Sequence, residues 1–338
     1  MASRANLAIA FGTAALVTAQ PVSDIQPDLR PILVRDLKFS AGELADLEHG
    51  KIVRHTLPPS APGEVAAVGA VRINAPRARL VAAYRDIVRF KRNPSVLELG
   101  VFSNPPVLPD LDGLSITPDD FDLRQCKVGD CDIRLPAALI QRFEREIDWR
   151  RPDAASKAAG MFKQILVDDV QAYAAGTPRR ITEYDDGGEP IKPEENFDAL
   201  LKSSPYVEAM LPGLGVHVGA YPAGSLIGAE DFLYWSKEKF GIAPFISVTH
   251  VTIVPAGVHQ SLMATRDVYS SRYFDASLSL AIASDSVSNA QFFYLVYVNR
   301  SRASALRGAF SRIRRTIVER RAKASLEENL KEVKQRLE

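Results

Sequence analysis

The chain has 338 residues, 46% hydrophobic and 25% charged, with a formal net charge of +1. Those values speak against a disordered or fibrous class, and the near-neutral charge speaks against nucleic-acid binding by the chain as a whole. The length accommodates one large domain or two small ones.

Arg4 precedes an Ala-rich apolar run, residues 7–17, and Val17-Thr18-Ala19 places small residues where a signal peptidase cuts. The expectation is a secretory signal peptide over 1–19 and a periplasmic or secreted location. An uncleaved anchor or a buried N-terminal helix is the alternative. Residues 20–38 carry Pro21, Pro27 and Pro31 with little periodicity and read as a linker; 39–338 reads as one domain. Ser40 with Glu43 three residues on predicts a capped short helix. A short strand over 52–57 follows, broken by Pro58, Pro59 and Pro62.

Residues 64–74 alternate as a strand, with Val65, Ala67, Gly69, Val71 and Ile73 on one face. Ala75-Pro76 opens a helix whose stripe is Leu80, Ala83, Tyr84, Ile87 and Val88, stopped by Pro94. A strand over 96–103 comes next. Asp110, Asp112, Asp119, Asp120 and Asp122 then read as a solvated acidic loop, since the Gly and Glu positions of a calcium loop are missing. Cys126 and Cys131 flank the turn-like Lys-Val-Gly-Asp. With export, a structural disulfide closing a short loop is expected. The rival readings are weaker: the set is incomplete for zinc, and a redox pair favours C-x-x-C spacing.

Residues 137–147 and 153–175 predict helices, 180–184 a strand, 185–190 a loop and 197–211 a helix interrupted at Pro205. The aromatic run 231–240 reads as a short helix or turn. Three strand-like runs, 245–254, 268–283 and 291–299, then form an antiparallel meander. A long basic helix follows from Ser301 or Ser304. Its first stripe is Leu306, Phe310, Ile313 and Ile317; its second, Ala322, Leu326, Leu330, Val333 and Leu337, lies on the other side. The first half is expected to grip the sheet and the second to meet another segment, subunit or membrane. A kink or frayed end is the alternative.

The segment VGAVRINAPRARLVAAYRDIVRFKR resembles the opening of the START/Bet v 1-like (SRPBCC, helix-grip) superfamily: a strand ending in an apolar-x-Ala-Pro segment, then helix with an Asp in a position like Asp86. The final meander and helix fit the end of that plan. The resemblance covers 64–103 and 244–321. Over 136–243 the chain departs from it, so that span is expected to be a largely helical insertion forming a lid or wall of a cavity. More narrowly, CKVGDC, FLYWSKEKFG, SVTHVTI and YVNRSR resemble segments of exported bacterial proteins. The resemblance implies an α+β fold in which an antiparallel sheet grips a long C-terminal helix around a ligand cavity.

His250 shares a strand face with Ile246, Val248 and Val254. It either orients a ligand polar group or acts as a general base, or it is a core histidine bonded to a neighbour. Arg272 lies on the apolar face of its run. It either receives a ligand anion or forms an internal salt bridge with Asp275, Asp267 or a glutamate of the insertion. Tyr234, Trp235, Tyr269 and Tyr273 supply aromatic surface with polar handles, though aromatics at strand spacing are more often plain core. His217 and His259 lie in Gly/Pro-rich contexts and read as loop residues. No metal-ligand spacing, phosphate loop or nucleophile elbow occurs, so neither metal nor cofactor is expected. The predicted function is an exported soluble protein binding a lipid or other hydrophobic small molecule. The alternatives are an enzyme using His250 as acid or base, and an envelope protein docking to a membrane surface or partner through its basic C-terminal helix.

Overall fold

The computed structural model describes residues 23–179, 181–184, 190–240, 243–307 and 311–338, without the side chains of 311–313. The expected signal segment, 1–19, lies outside these residues, as do Phe310 and the side chain of Ile313.

Two helices, α1 (Leu29–Arg35) and α2 (Ala41–Glu48), precede β1 (Val53–Leu57) and β2 (Glu64–Ile73). After α3 (Ala78–Arg85), α4 (Ile87–Phe90) and β3 (Val96–Val101) come α5 (Ala137–Glu146), α6 (Ala154–Ala175), α7 (Pro193–Lys202), α8 (Pro205–Met210) and α9 (Leu214–Gly219). The chain ends with β4 (Glu230–Phe240), β5 (Ala243–Ala256), β6 (Gln260–Ser270), β7 (Ala276–Asp285), β8 (Phe293–Arg302) and α10 (Ser311–Leu337). The eight strands make one sheet in the order β1-β2-β8-β7-β6-β5-β4-β3, antiparallel throughout. The fold class is α+β. An early strand, β2, pairs with the last, β8, from Glu64↔Arg302 to Ile73↔Phe293, so the sheet forms only once most of the chain is present.

Both faces of the sheet are covered. On one, Val71, Ile73, Val251, Ile253, Phe293 and Leu295 pack with Leu80 of α3, Ile87 of α4, and Leu326, Leu330 and Leu337 of α10. On the other, α1, α2 and α7–α9 cover one end; α5, α6 and the disulfide loop cover the other. This burial explains near-continuous apolar strands such as β2, whose residues are almost all buried, where an antiparallel sheet with one wet face would alternate.

The α2 cap is present as expected: Ser40 Oγ accepts from the Glu43 amide at 3.2 Å, and the Glu43 carboxylate accepts from the Ser40 amide at 2.8 Å. Several expectations need correction. The stretch read as a linker contains α1, with Leu29 and Leu33 fully buried; Pro27 precedes that helix and Pro31 lies inside it. The run 268–283 is not one strand, because the chain reverses between β6 and β7 at Tyr273, whose φ is +67°. The run 231–240 is strand β4 rather than helix or turn: pairing along β5 outweighs the helix-favouring Lys and Glu at its end. Helices α5–α9 lie on the sheet face away from α10, so they form neither lid nor wall beneath that helix; of the span 136–243, strand β4 faces it, through Tyr234 and Glu238.

The helix stripes are also reversed. Leu326, Leu330 and Leu337 are the α10 residues buried on the sheet, while Ile317 is 49% exposed. Leu306 belongs to a short 3-10 turn before the helix. Gly69 explains why the second half docks. A Cβ at Gly69 would lie 2.7 Å from Leu330 Cδ1 and 3.1 Å from Leu326 Cδ2, so only glycine admits so close an approach. The Gly69→Val protein is expected to lose about 1–3 kcal/mol through overpacking, seen as a lower urea midpoint. Adding Leu330→Ala should cost less in that background than in the native one; equal costs would mean that the two positions do not press on each other.

Candidate functional site

A cavity of about 260 Å³ lies between α3–α4, the second half of α10 and the α10-side face of the sheet. It exists because α10 runs over β2 and β1 at one side of the sheet, while α3 and α4 bridge back toward β4. The space between is only partly filled. Leu80, Ile87, Val251, Leu295, Leu326 and Leu330 supply apolar wall. Tyr84, Lys91, Tyr234, Glu238 and Tyr297 also line it, bringing polar groups from α3, the end of α4, β4 and β8.

These groups form a connected set. Lys91 Nζ is 2.7 Å from Glu238 Oε1 and 5.7 Å from the centre of the Tyr234 ring. Ser236 Oγ donates to Glu238 Oε1 at 2.6 Å. The Tyr297 hydroxyl donates to Ser279 at 2.9 Å. Burial disfavours charge on Lys91, but Tyr234 and Glu238 outweigh it and hold its pKa up. Glu238 is likewise opposed by burial and pulled down by Lys91. Burial pushes the Tyr84 phenol up.

Asp267 belongs to the same sheet face. It follows Thr265, a cavity-lining residue, by two positions on β6. Its Oδ1 accepts from Thr249 Oγ1 at 3.0 Å. Burial, reinforced by the Glu238 charge, pushes its carboxyl up to about 7; the Thr249 bond and Lys91 offset only part of this. Asp267 nevertheless keeps some accessible surface.

Of the residues singled out from the sequence as ligand contacts, Tyr234 lines this cavity. The others are elsewhere. His250 is buried on the opposite sheet face, its Nε2 3.0 Å from Asp231 Oδ1 and its Nδ1 3.0 Å from the Tyr173 hydroxyl. Burial lowers its pKa in spite of the Asp231 contact. It is a bonded core histidine. His217 is no free loop residue either: it is buried, with Nε2 3.1 Å from Asp231. Arg272 lies in the β6–β7 reversal rather than on an apolar strand face. It pairs with Asp132 at 2.9 Å, a partner not foreseen, and lies over the Phe121 ring. Trp235 packs in the second core of that face and donates to the Asp110 carbonyl at 2.8 Å. Tyr269 is buried there too, donating to the Arg134 carbonyl at 3.2 Å. Tyr273 donates to the Ala243 carbonyl at 2.9 Å. The one-residue alternation of a strand accounts for the split: Tyr234 and Trp235 are neighbours in sequence and point to opposite faces.

Cys126 and Cys131 form a disulfide. The acidic loop before it is less solvated than expected, because Asp120 pairs with the buried Lys237 at 2.6 Å. Among the described residues no group of three or more His, Cys, Asp or Glu side chains suits a metal ion, and no helix is long and apolar enough to cross a membrane. Lys91, Glu238, Asp267, Tyr84 and Tyr297 were not foreseen as site residues. The signal for Asp267 was a carboxylate in phase with Met263 and Thr265, visible once β6 is started at Gln260 rather than at Val268. Comparison with known proteins returned no matching family model, curated protein or solved structure.

Proposed function

We propose that the protein binds a hydrophobic small molecule between its sheet and its C-terminal helix, on a START-like plan. The observation carrying this reading is the cavity of about 260 Å³, walled by leucines, isoleucine and valine and set with a few convergent polar groups. That combination is characteristic of small-molecule sites. Ligand pockets commonly span roughly 300–1,000 Å³, so a compact molecule fits better than a two-chain lipid. The Cys126–Cys131 disulfide supports an oxidising, extracytoplasmic setting. The exposed Ile317 among Arg314, Arg320 and Arg321 favours a second, compatible role, in which the first half of α10 rests on an anionic surface. Acid–base catalysis by His250 gains nothing from its setting, since both ring nitrogens already face partners.

The test is native mass spectrometry of the purified protein together with titration of the uncharged apolar dye N-phenyl-1-naphthylamine. We expect a saturable dye site in the native protein that is lost in Val251→Phe, a variant that fills the cavity, while the urea midpoint shows that variant still folded. Dye binding of equal strength in both would place the site elsewhere and end this reading.

A further inference from the structure

We propose that the ligand is a small organic cation: an amine whose charged nitrogen meets Asp267 and the tyrosine rings of the cavity, with its apolar body against Leu295, Leu326 and Leu330. This rests on the cavity reading above and adds the chemical class. The reason is charge matching. The cavity's cation, Lys91, is already engaged by Glu238 at 2.7 Å. The other carboxylate on this face, Asp267, is bonded to a hydroxyl, Thr249. Among the described residues no cation lies in salt-bridge range of it. A buried carboxylate without a cation is costly, and an incoming ammonium supplies what is missing.

The groups around Asp267 favour the same class. Lys91 comes from the end of α4, Glu238 and Tyr234 from β4, Thr249 from β5 and Tyr297 from β8; Tyr84 adds a further ring from α3. From α10, Glu332 and Arg336 line the rim and are paired with each other. With both carboxylates ionised, the interior is one positive charge short. Tyrosine faces attract cations as well, as the placement of Lys91 over Tyr234 already shows. A carboxylate ligand would instead add a negative charge beside Glu238 and Asp267, and would bind only with a proton taken up by Asp267.

Calorimetry with phenethylamine, 2-phenylethanol and 3-phenylpropionate tests this, because the three are similar in size and differ in head group. At pH 8 the amine is expected to bind at least about tenfold more tightly than the alcohol, and the acid most weakly. With the Asp267 carboxyl near pH 7, the amine's affinity should fall about tenfold between pH 8 and pH 6 as that carboxyl takes a proton; the alcohol's should hold. In Asp267→Asn the amine should lose its advantage while the alcohol binds as before. Alcohol or acid binding as tightly as the amine at pH 8 overturns the class and leaves the cavity reading intact. So does failure of all three in a protein whose dye site is still sensitive to Val251→Phe. Absence of that dye site overturns both.

Discussion

At pH 8 the Asp267→Asn protein is expected to unfold at higher urea than the native chain, and at pH 4 the two should nearly coincide. Asp267 has its carboxyl raised by burial from 3.8 to about 7. A raised acid is stable while protonated. Below the unfolded value both states hold the proton and the native state bears no penalty. Between about pH 4 and pH 7 the unfolded chain ionises first, and stability is lost until the folded value is passed. At about 1.4 kcal/mol per pH unit the loss approaches roughly 4 kcal/mol above pH 7, an upper bound because Asp267 is not sealed from solvent. Asparagine keeps the size and can still accept from Thr249, but it has no charge to bury. A gain that grows from pH 4 to pH 8 is therefore the signature. A loss at pH 8 would mean that the carboxylate is paired and that the amine reading has no basis. A residue that destabilises its own fold is also what a binding site looks like, since the cost is recovered when the partner arrives.

The two ends of the fold were more legible than its middle. Strand β2 could be read because Val65 to Ile73 is a run mostly of β-branched and small residues, and the period of two placed Gly69 on the face that α10 now covers. The long C-terminal helix was evident from its spacing, yet the choice of stripe was not. That choice depends on what lies opposite, and only β2, with no side chain at Gly69, lets Leu326 and Leu330 descend. The site was legible in one residue, Tyr234. Its other members come from an α3–α4 pair and from strands β4, β6 and β8 that are brought together by sheet order rather than by chain order. Lys91 and Glu238 are far apart in the sequence and meet only because β4 folds against the end of α4. His250 looked like a site residue because it is polar on an apolar face. The structure gives it a structural partner instead, and the same pattern at Asp267 went unread because the strand was started at Val268, eight residues past its true start at Gln260.

Removing Asp231 should do more damage than removing any residue of the cavity. Its carboxylate accepts from His250 at 3.0 Å, from His217 at 3.1 Å and from Thr252 at 2.7 Å, tying β4 to β5 and α9 beneath the Tyr221 ring, which lies 4.2 Å from the His250 ring. Burial opposes its charge, but the bonds from His250, Thr252 and His217 outweigh that and pull the carboxyl down to about 2. The depressed value means that the stabilisation is complete above about pH 4 and is lost as pH falls toward 2, a contribution of roughly 2 kcal/mol. Asp231→Ala goes further, because it strands two buried imidazoles and a hydroxyl without their acceptor. The expected cost at pH 7 is about 3–5 kcal/mol, read from the urea midpoint, and the gap to the native protein should narrow below pH 4. His250 adds a second acid window. Its lowered pKa means that stability is lost as pH falls below the ordinary 6.5, where the unfolded ring takes a proton first. In the native chain that loss is countered between about pH 7 and pH 4 by the gain at Asp267. The Asp267→Asn protein lacks the counterweight, so its stability should decline with acid from about pH 6.5 onward, where the native profile is flatter. Parallel profiles for the two proteins across that range would show that the opposite faces of the sheet are not balanced in this way.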